Sequence, residues 1–166
     1  MIVVSNTSPL TNLAAIGRFN LLQELYGEIQ IAQGVAAELW SGGRGWPGGQ
    51  EVAAADWVHQ HSVENRHLVH ALQGSLDFGE SETIALALEL DADLVLIDER
   101  DGAREARRLG LRVVGVVGML LEAKAKGFID QVRPELLSLR QQAGFYLGEG
   151  LIQEVLQLAG EVDAAS

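Results

Sequence analysis

Oxygen-bearing side chains gather at four places in this chain of 166 residues. Asn6 closes a short apolar run, Ile2-Val3-Val4, and Glu38 interrupts the apolar helical pattern of residues 33–40. Glu80 and Glu82 stand in Gly79-Glu80-Ser81-Glu82, and Asp98 and Asp101 stand in Asp98-Glu99-Arg100-Asp101, directly after Leu94-Val95-Leu96-Ile97. Carboxylate and amide oxygens are the ligands that hard divalent cations prefer. Each group also has an ordinary structural use. Asn6 can serve as a cap or turn residue ahead of Pro9. Glu80 and Glu82 can favour a helix N-terminus, Asp98 and Asp101 can close a strand and cap a helix, and Glu38 can be a solvated helix residue. The combination says more than any member. Residues that follow parallel strands, or open a neighbouring helix, can converge on the crevice at the carboxyl edge of a sheet, where α/β folds place their ligands.

The elements needed to position them are legible. Strands are predicted at about 2–5, 29–32, 57–61, 94–97 and 112–114, and the almost wholly apolar 94–97 run reads as a buried parallel strand. Ser8-Pro9 reads as an N-cap followed by proline at the first helical position, opening a helix through Ile16 that Gly17 stops. Further helices are expected with Phe19, Leu22 and Leu25 on one, Val35 and Leu39 on the next, and then at 66–73, 79–91, 101–109, 116–126, from Pro134 to Gln142, and from Gly148 to Ala159. On the 79–91 helix Glu80 shares the inward face with Ile84, Ala87 and Leu88, and Glu82 lies about 200° around it at ~100° per residue. Residues 41–50 hold five glycines and a proline and read as a flap or connection. Strands alternating with helices imply parallel pairing through right-handed crossovers, hence an α/β fold, a three-layer α/β/α sandwich on a short parallel sheet. A C-terminal helical extension follows, with the body at 1–145 and the tail at 146–166. Leu147, Leu151, Val155 and Leu158 offer the tail an apolar stripe for internal packing.

Composition narrows the function classes. The net charge of −11, from 12 basic and 23 acidic residues, argues against a general nucleic-acid binder with a basic face. It leaves room for a metal-dependent nuclease, because divalent ions can bridge a carboxylate pocket to a phosphate. The absence of cysteine excludes disulfides and thiolate metal sites and fits a cytoplasmic setting. No run approaches the ~18 to 20 apolar residues of a membrane span, and no secretory signal is read at the N-terminus.

Other constellations carry less. His59, His61, His67 and His70 cluster in sequence, but with no cysteine and no HExxH pattern they read as an amphipathic segment rather than a zinc site. Ser5, Thr7 and Ser8 lack the G-x-S-x-G setting of an activated nucleophile. Gly115 and Gly118 match no phosphate loop or dinucleotide fingerprint and read as close helix–sheet packing. A small-molecule or phosphotransfer enzyme on a similar fold is disfavoured by the same missing motifs.

Five segments together resemble a PIN domain of the VapC-like group of small metal-dependent ribonucleases. They are Val4-Ser5-Asn6-Thr7-Ser8-Pro9-Leu10, the run from Asp77 to Ala87, Leu96-Ile97-Asp98-Glu99, the run from Leu109 to Gly115, and the run from Leu121 to Gly127. The resemblance implies an acidic pocket holding Mg²⁺ or Mn²⁺ at the sheet edge, and hydrolysis of RNA phosphodiester bonds. It implies Glu38, Glu80 and Asp98 as catalytic carboxylates, and Asn6, Glu38, Glu80, Asp98 and Asp101 as metal ligands, with Asp101 competing with Asp98. The implied partners are RNA as substrate, an antitoxin protein if the chain is the toxin of such a pair, and a second copy in a homodimer. Asn6 stands where the family has its first aspartate. An amide oxygen can ligate a cation but brings no charge, so weaker metal binding is expected. The alternative is a PIN-like binding or regulatory module with impaired catalysis.

Overall fold

The computed structural model describes residues 1–42 and 46–161. Its strands are β1 (Val3–Ser5), β2 (Ile29–Ala32), β3 (Val58–His61), β4 (Leu94–Leu96) and β5 (Val113–Val114). Its helices are α1 (Thr7–Ala15), α2 (Leu21–Tyr26), α3 (Gln33–Ser41), α4 (Gly49–Ala54), α5 (Arg66–Leu72), α6 (Phe78–Glu89), α7 (Arg100–Arg108), α8 (Val116–Ala125), α9 (Arg133–Gln142) and α10 (Glu149–Leu158). The strands form one sheet in the order β3-β2-β1-β4-β5, and every pairing is parallel. β1, β2 and β4 are thus interior strands, so Asn6 and the residues after Leu96 issue side by side from the middle of the carboxyl edge.

Successive strand residues point to opposite faces, and this chain fills both faces with apolar side chains. Val3, Ile29, Ile31, Leu94 and Leu96 join one core with Leu10, Leu13, Leu39, Met119 and Leu136 from the helices. Val4, Ala32, Val95 and Ile97 join the other with Val69, Leu72, Ile84, Leu86 and Ala106. The result is the expected three-layer sandwich, with α5, α6 and α7 on one side of the sheet. Among the described residues no helix is long and apolar enough to cross a membrane.

Three local expectations change. The first helix begins at Thr7, so Asn6 rather than Ser8 is the N-cap position, and Pro9 falls within the first turn. α4 begins in the last two residues of the segment read as a glycine-rich connection, Gly49 and Gln50, and runs on to Ala54. Glu51 accepts a hydrogen bond from the Gly48 backbone at 2.9 Å and so fixes the start of that helix. Residues 43–45 of the connection lie outside the described residues. The tail helix packs by a different face from the one expected. Ile152, Val155 and Leu156 are buried with Leu147, whereas Leu151 is 45% and Leu158 is 73% exposed. Both stripes keep helical spacing, and contact with α8 selects the one that includes Ile152 and Leu156. Glu161 then anchors the tail, accepting from the Val132 backbone at 2.7 Å, the Arg133 backbone at 3.1 Å and Lys124 Nζ at 2.9 Å.

These contacts make α10 part of the core it covers. Leu156→Ala is expected to lower the unfolding free energy by about 2 to 5 kcal/mol. Leu158→Ala should change it by less than about 0.5 kcal/mol. Urea denaturation of the two variants checks both.

Candidate active site

Asn6 sits where β1 hands over to α1 and is only 3% exposed. Its backbone N–H still belongs to the sheet, donating to Leu96 O of β4 at 2.9 Å. Its side chain makes no helix-capping bond, because both ends of the amide are engaged elsewhere. Nδ2 donates to Glu99 Oε2 at 3.1 Å, and Oδ1 accepts from Thr83 Oγ1 of α6 at 3.3 Å. The amide orientation follows from partner chemistry, since only the NH₂ end can donate to a carboxylate. The other Glu99 oxygen accepts from Ser8 Oγ. The β1–α1 junction therefore holds Glu99 by both carboxylate oxygens.

Sequence reasoning placed the acid of this region at Asp98 or Asp101 and passed over Glu99. Strand parity carries the missing signal. Leu96 faces the core beneath α1 and α8, while Ile97 faces the core beneath α6. Continuing the alternation puts Asp98 with Leu96 and Glu99 with Ile97. The contacts agree. Asp98 Oδ1 accepts from the Val116 backbone at the start of α8 at 2.8 Å, and Oδ2 accepts from Asn12 Nδ2 of α1 at 3.4 Å. Burial pushes the Asp98 carboxyl up to about 6 against the Val116 hydrogen bond, and the neighbouring Glu99 charge adds to the rise. Asp101 lies in the exposed first turn of α7 and reaches the cluster only through its charge on Glu80.

Glu38 and Glu80 approach from α3 and α6. Glu38 Oε2 accepts from Thr7 Oγ1 at 2.5 Å. Its carboxylate lies so close to α6 that a methyl group on Gly79 would fall 2.2 Å from Oε1. Burial raises the Glu38 carboxyl above its ordinary range, opposed by the Thr7 hydrogen bond and reinforced by the charges of Asp77 and Glu99. Glu80 is 8% exposed, and a methyl group on Gly102 of α7 would fall 2.7 Å from its Oε2. Burial pushes Glu80 up to about 8, followed by its hydrogen bond to Asp77 and the charges of Asp77, Glu99 and Asp101. Asp77, a second residue the sequence reading did not assign, is the N-cap of α6 and accepts from the Glu80 backbone at 2.8 Å. Its position three residues before Glu80 is the usual capping signal.

Glu82 is also buried, at 3% exposure, although it lies far around the helix from Glu80. α6 is covered on that side too, by α3 and α5. Glu82 Oε1 accepts from the Gly34 backbone at 2.7 Å, and Oε2 pairs with Arg66. It is thus engaged away from the cluster. The histidines stay apart as well: His61 Nε2 meets Gln30 Oε1 at 2.6 Å, and His59 Nε2 lies 3.5 Å from Glu28.

Burial is the main cause that raises Glu38, Glu80 and Asp98, and the Glu99 charge adds to each. The cluster's donors are carboxylate, hydroxyl and amide oxygens, the set suited to a hard divalent ion, and such an ion would relieve the crowding of these carboxyls. Among the described residues, no three acidic or histidine side chains are grouped so as to hold an ion directly; Thr7, Ser8 and Asn6 donate to Glu38 and Glu99. Mg²⁺ commonly keeps several waters and uses one or two protein carboxylates, a mode that spaced carboxylates can serve.

The chain is similar in fold to a PilT N-terminus domain protein from the hyperthermophilic archaeon Sulfolobus solfataricus P2. The TM-score is 0.54 at 20% sequence identity, over 74% of this chain and 93% of that one. Comparison with curated proteins finds no match. A family model described as the PIN domain matches residues 2–161, nearly the whole length. PIN domains are generally nucleases and typically depend on a divalent metal. With the parallel sheet carrying its acidic cluster at the carboxyl edge, this chain belongs to the PIN domain family.

Proposed function

We propose that the protein is a metal-dependent endoribonuclease whose site is the cluster around Glu99. The observation that carries the reading is geometric: Glu99, held by Asn6 and Ser8, Glu38, held by Thr7, and the buried Glu80 meet at the carboxyl edge of the sheet among oxygen-bearing side chains. On this reading one or two of Glu38, Glu80 and Glu99 would hold Mg²⁺ or Mn²⁺ directly and the others through its waters, with Asp98 beside them at the same edge. Asn6 contributes a neutral oxygen, and Asp101 marks the rim. The bound ion supplies Lewis-acid polarisation of the phosphate, activation of water and stabilisation of the leaving oxygen. The chain's own groups orient and neutralise. Thr7 and Ser8 fix the rotamers of Glu38 and Glu99, and Asp98 ties α8 to the same edge. RNA is the substrate, an antitoxin and a second copy of the chain are the partners this reading calls for, and the cytoplasm is its setting.

A second reading rests on Asn6. With an amide in place of a charged ligand, the fold can serve as a binding or regulatory module with impaired catalysis. The two readings diverge on cleavage of single-stranded RNA with Mn²⁺. The nuclease reading expects activity that falls at least ~100-fold in Glu80→Gln and Glu99→Gln, since even outer-shell changes commonly cost 10- to 100-fold. Equal cleavage by wild type and Asp98→Asn would remove Asp98 from the site, and no Mn²⁺-dependent cleavage would leave the binding module.

Asn6→Asp separates charge from geometry. The new carboxylate faces Glu99 without a proton to donate, so metal-free stability should fall by about 1 to 3 kcal/mol. Stabilisation by Mn²⁺, which follows the ratio of free ion to its dissociation constant, should grow. Thermal melts with and without Mn²⁺ read both effects.

The raised carboxyls also fix a pH dependence. Glu80 moves from 4.5 to about 8 on folding, and Asp98 from 3.8 to about 6. The folded state therefore binds more protons than the unfolded state between those values. Metal-free stability is highest on the acid side of the window and falls as pH rises through about 6 and then about 8. Glu80→Gln should flatten the upper part of that fall in melts recorded across the window in EDTA.

A further inference from the structure

A cavity of about 440 Å³ opens where α3, α5 and α6 meet beyond the ends of β2 and β3, lined by Gln33, Gly34, Ser62, Arg66, Phe78 and Glu82 among others. Its size is that of a small-ligand site. It shares two walls with the acidic cluster. Gly34 stands four residues before Glu38 on α3, and Phe78 opens the turn of α6 that carries Glu80. One helical turn, about 5.4 Å, separates the two places.

The chemistry here differs from that of the cluster. The buried carboxylate, Glu82, is neutralised by Arg66 and by the Gly34 backbone N–H. The Arg66 guanidinium is held 5.7 Å from the Phe78 ring centroid. Both side chains reach the surface, Arg66 with its side chain 53% exposed and Phe78 at 43%. A planar cation fixed over an aromatic ring, with solvent on its outer side, is a platform for another flat π-system. A phosphate is a poorer occupant, because the Glu82 carboxylate lies behind the guanidinium and the chain carries a net charge of −11.

We propose that this cavity is a nucleobase subsite, in which an unpaired base of single-stranded RNA stacks on the Arg66 guanidinium, backed by Phe78, one helical turn from the acidic cluster. Gln33 and Ser62 supply the polar groups that line its edge. The proposal rests on the ribonuclease reading for its substrate class. Base stacking on such platforms is tolerant of sequence and strong enough to anchor a strand, which an acidic surface cannot do through the backbone alone.

The test is fluorescence anisotropy of a labelled six-nucleotide oligoribonucleotide against a fully abasic oligomer of the same length. Ca²⁺ replaces Mn²⁺, and strand integrity is checked on a gel. The intact strand is expected to bind wild type at least about tenfold more tightly. That preference should be lost in Phe78→Leu, which keeps an apolar contact on Gly34. It should also be lost in Arg66→Lys, which keeps the ion pair to Glu82 but not the plane. Equal binding of the two oligomers, no binding by wild type, or full retention in Arg66→Lys would each overturn the subsite. Mn²⁺-dependent cleavage by wild type and Glu80→Gln, run in parallel, reports on the nuclease reading separately. Base-dependent binding without cleavage keeps the subsite and discards the nuclease, and cleavage without base preference does the reverse.

Discussion

The hydrogen bond from Asn6 Nδ2 to Glu99 Oε2 is the contact on which the carboxyl edge depends. β1 and β4 lie adjacent and parallel, so whatever follows each strand must share the same small volume. Two anions there would repel at short range with little water between them. An amide facing a carboxylate turns the same proximity into an attraction, and Ser8 secures the second oxygen. Glu99 can then remain in the pocket and impose its charge on Glu38, Glu80 and Asp98.

Close approach of helices is the other requirement. Glu38 reaches the cluster only because Gly79 presents bare backbone to it, and Glu80 only because Gly102 does the same. Neither glycine is needed for an unusual backbone angle, and neither has a positive φ. Each is a gap in the side-chain layer into which a carboxylate fits. Any larger residue would press on a charged group that has few other places to go, so these positions belong to the site although they carry no functional group.

Much of the architecture was legible in the sequence because apolar residues mark both faces of every interior strand. Val3 and Val4, or Leu96 and Ile97, divide between the two cores, and the helices alternate with the strands. α4 was hidden because its start depends on a backbone bond from Gly48 to Glu51 and not on an apolar pattern. The tail's buried face was misread by one residue, since two overlapping helical stripes fit the sequence and only contact with α8 chooses between them. At the candidate site, Asn6, Glu38 and Glu80 were picked out by type and position, and the structure brings them to one edge of the sheet. Glu99 was passed over because attention went to the nearest strand-end acid and not to the side chain that turns to the β1–α1 junction. No sequence pattern reveals that the Asn6 amide is engaged at both ends, because its partners lie 93 and 77 residues away.

α6 is buried from Gly79 through Ala87 on every side. A helix so enclosed behaves as a fixed beam: it cannot tilt to suit one ligand without disturbing three layers at once. Glu80 and Glu82 are therefore set relative to the sheet by the fold itself, whereas Phe78 and Arg66 stand at the beam's exposed end. Arg66 is also the cation of the buried Glu82 carboxylate, so a change at that end is felt in the interior. The exposed end and the acidic centre are thus two stations on one rigid member, and a displacement of either is carried to the other.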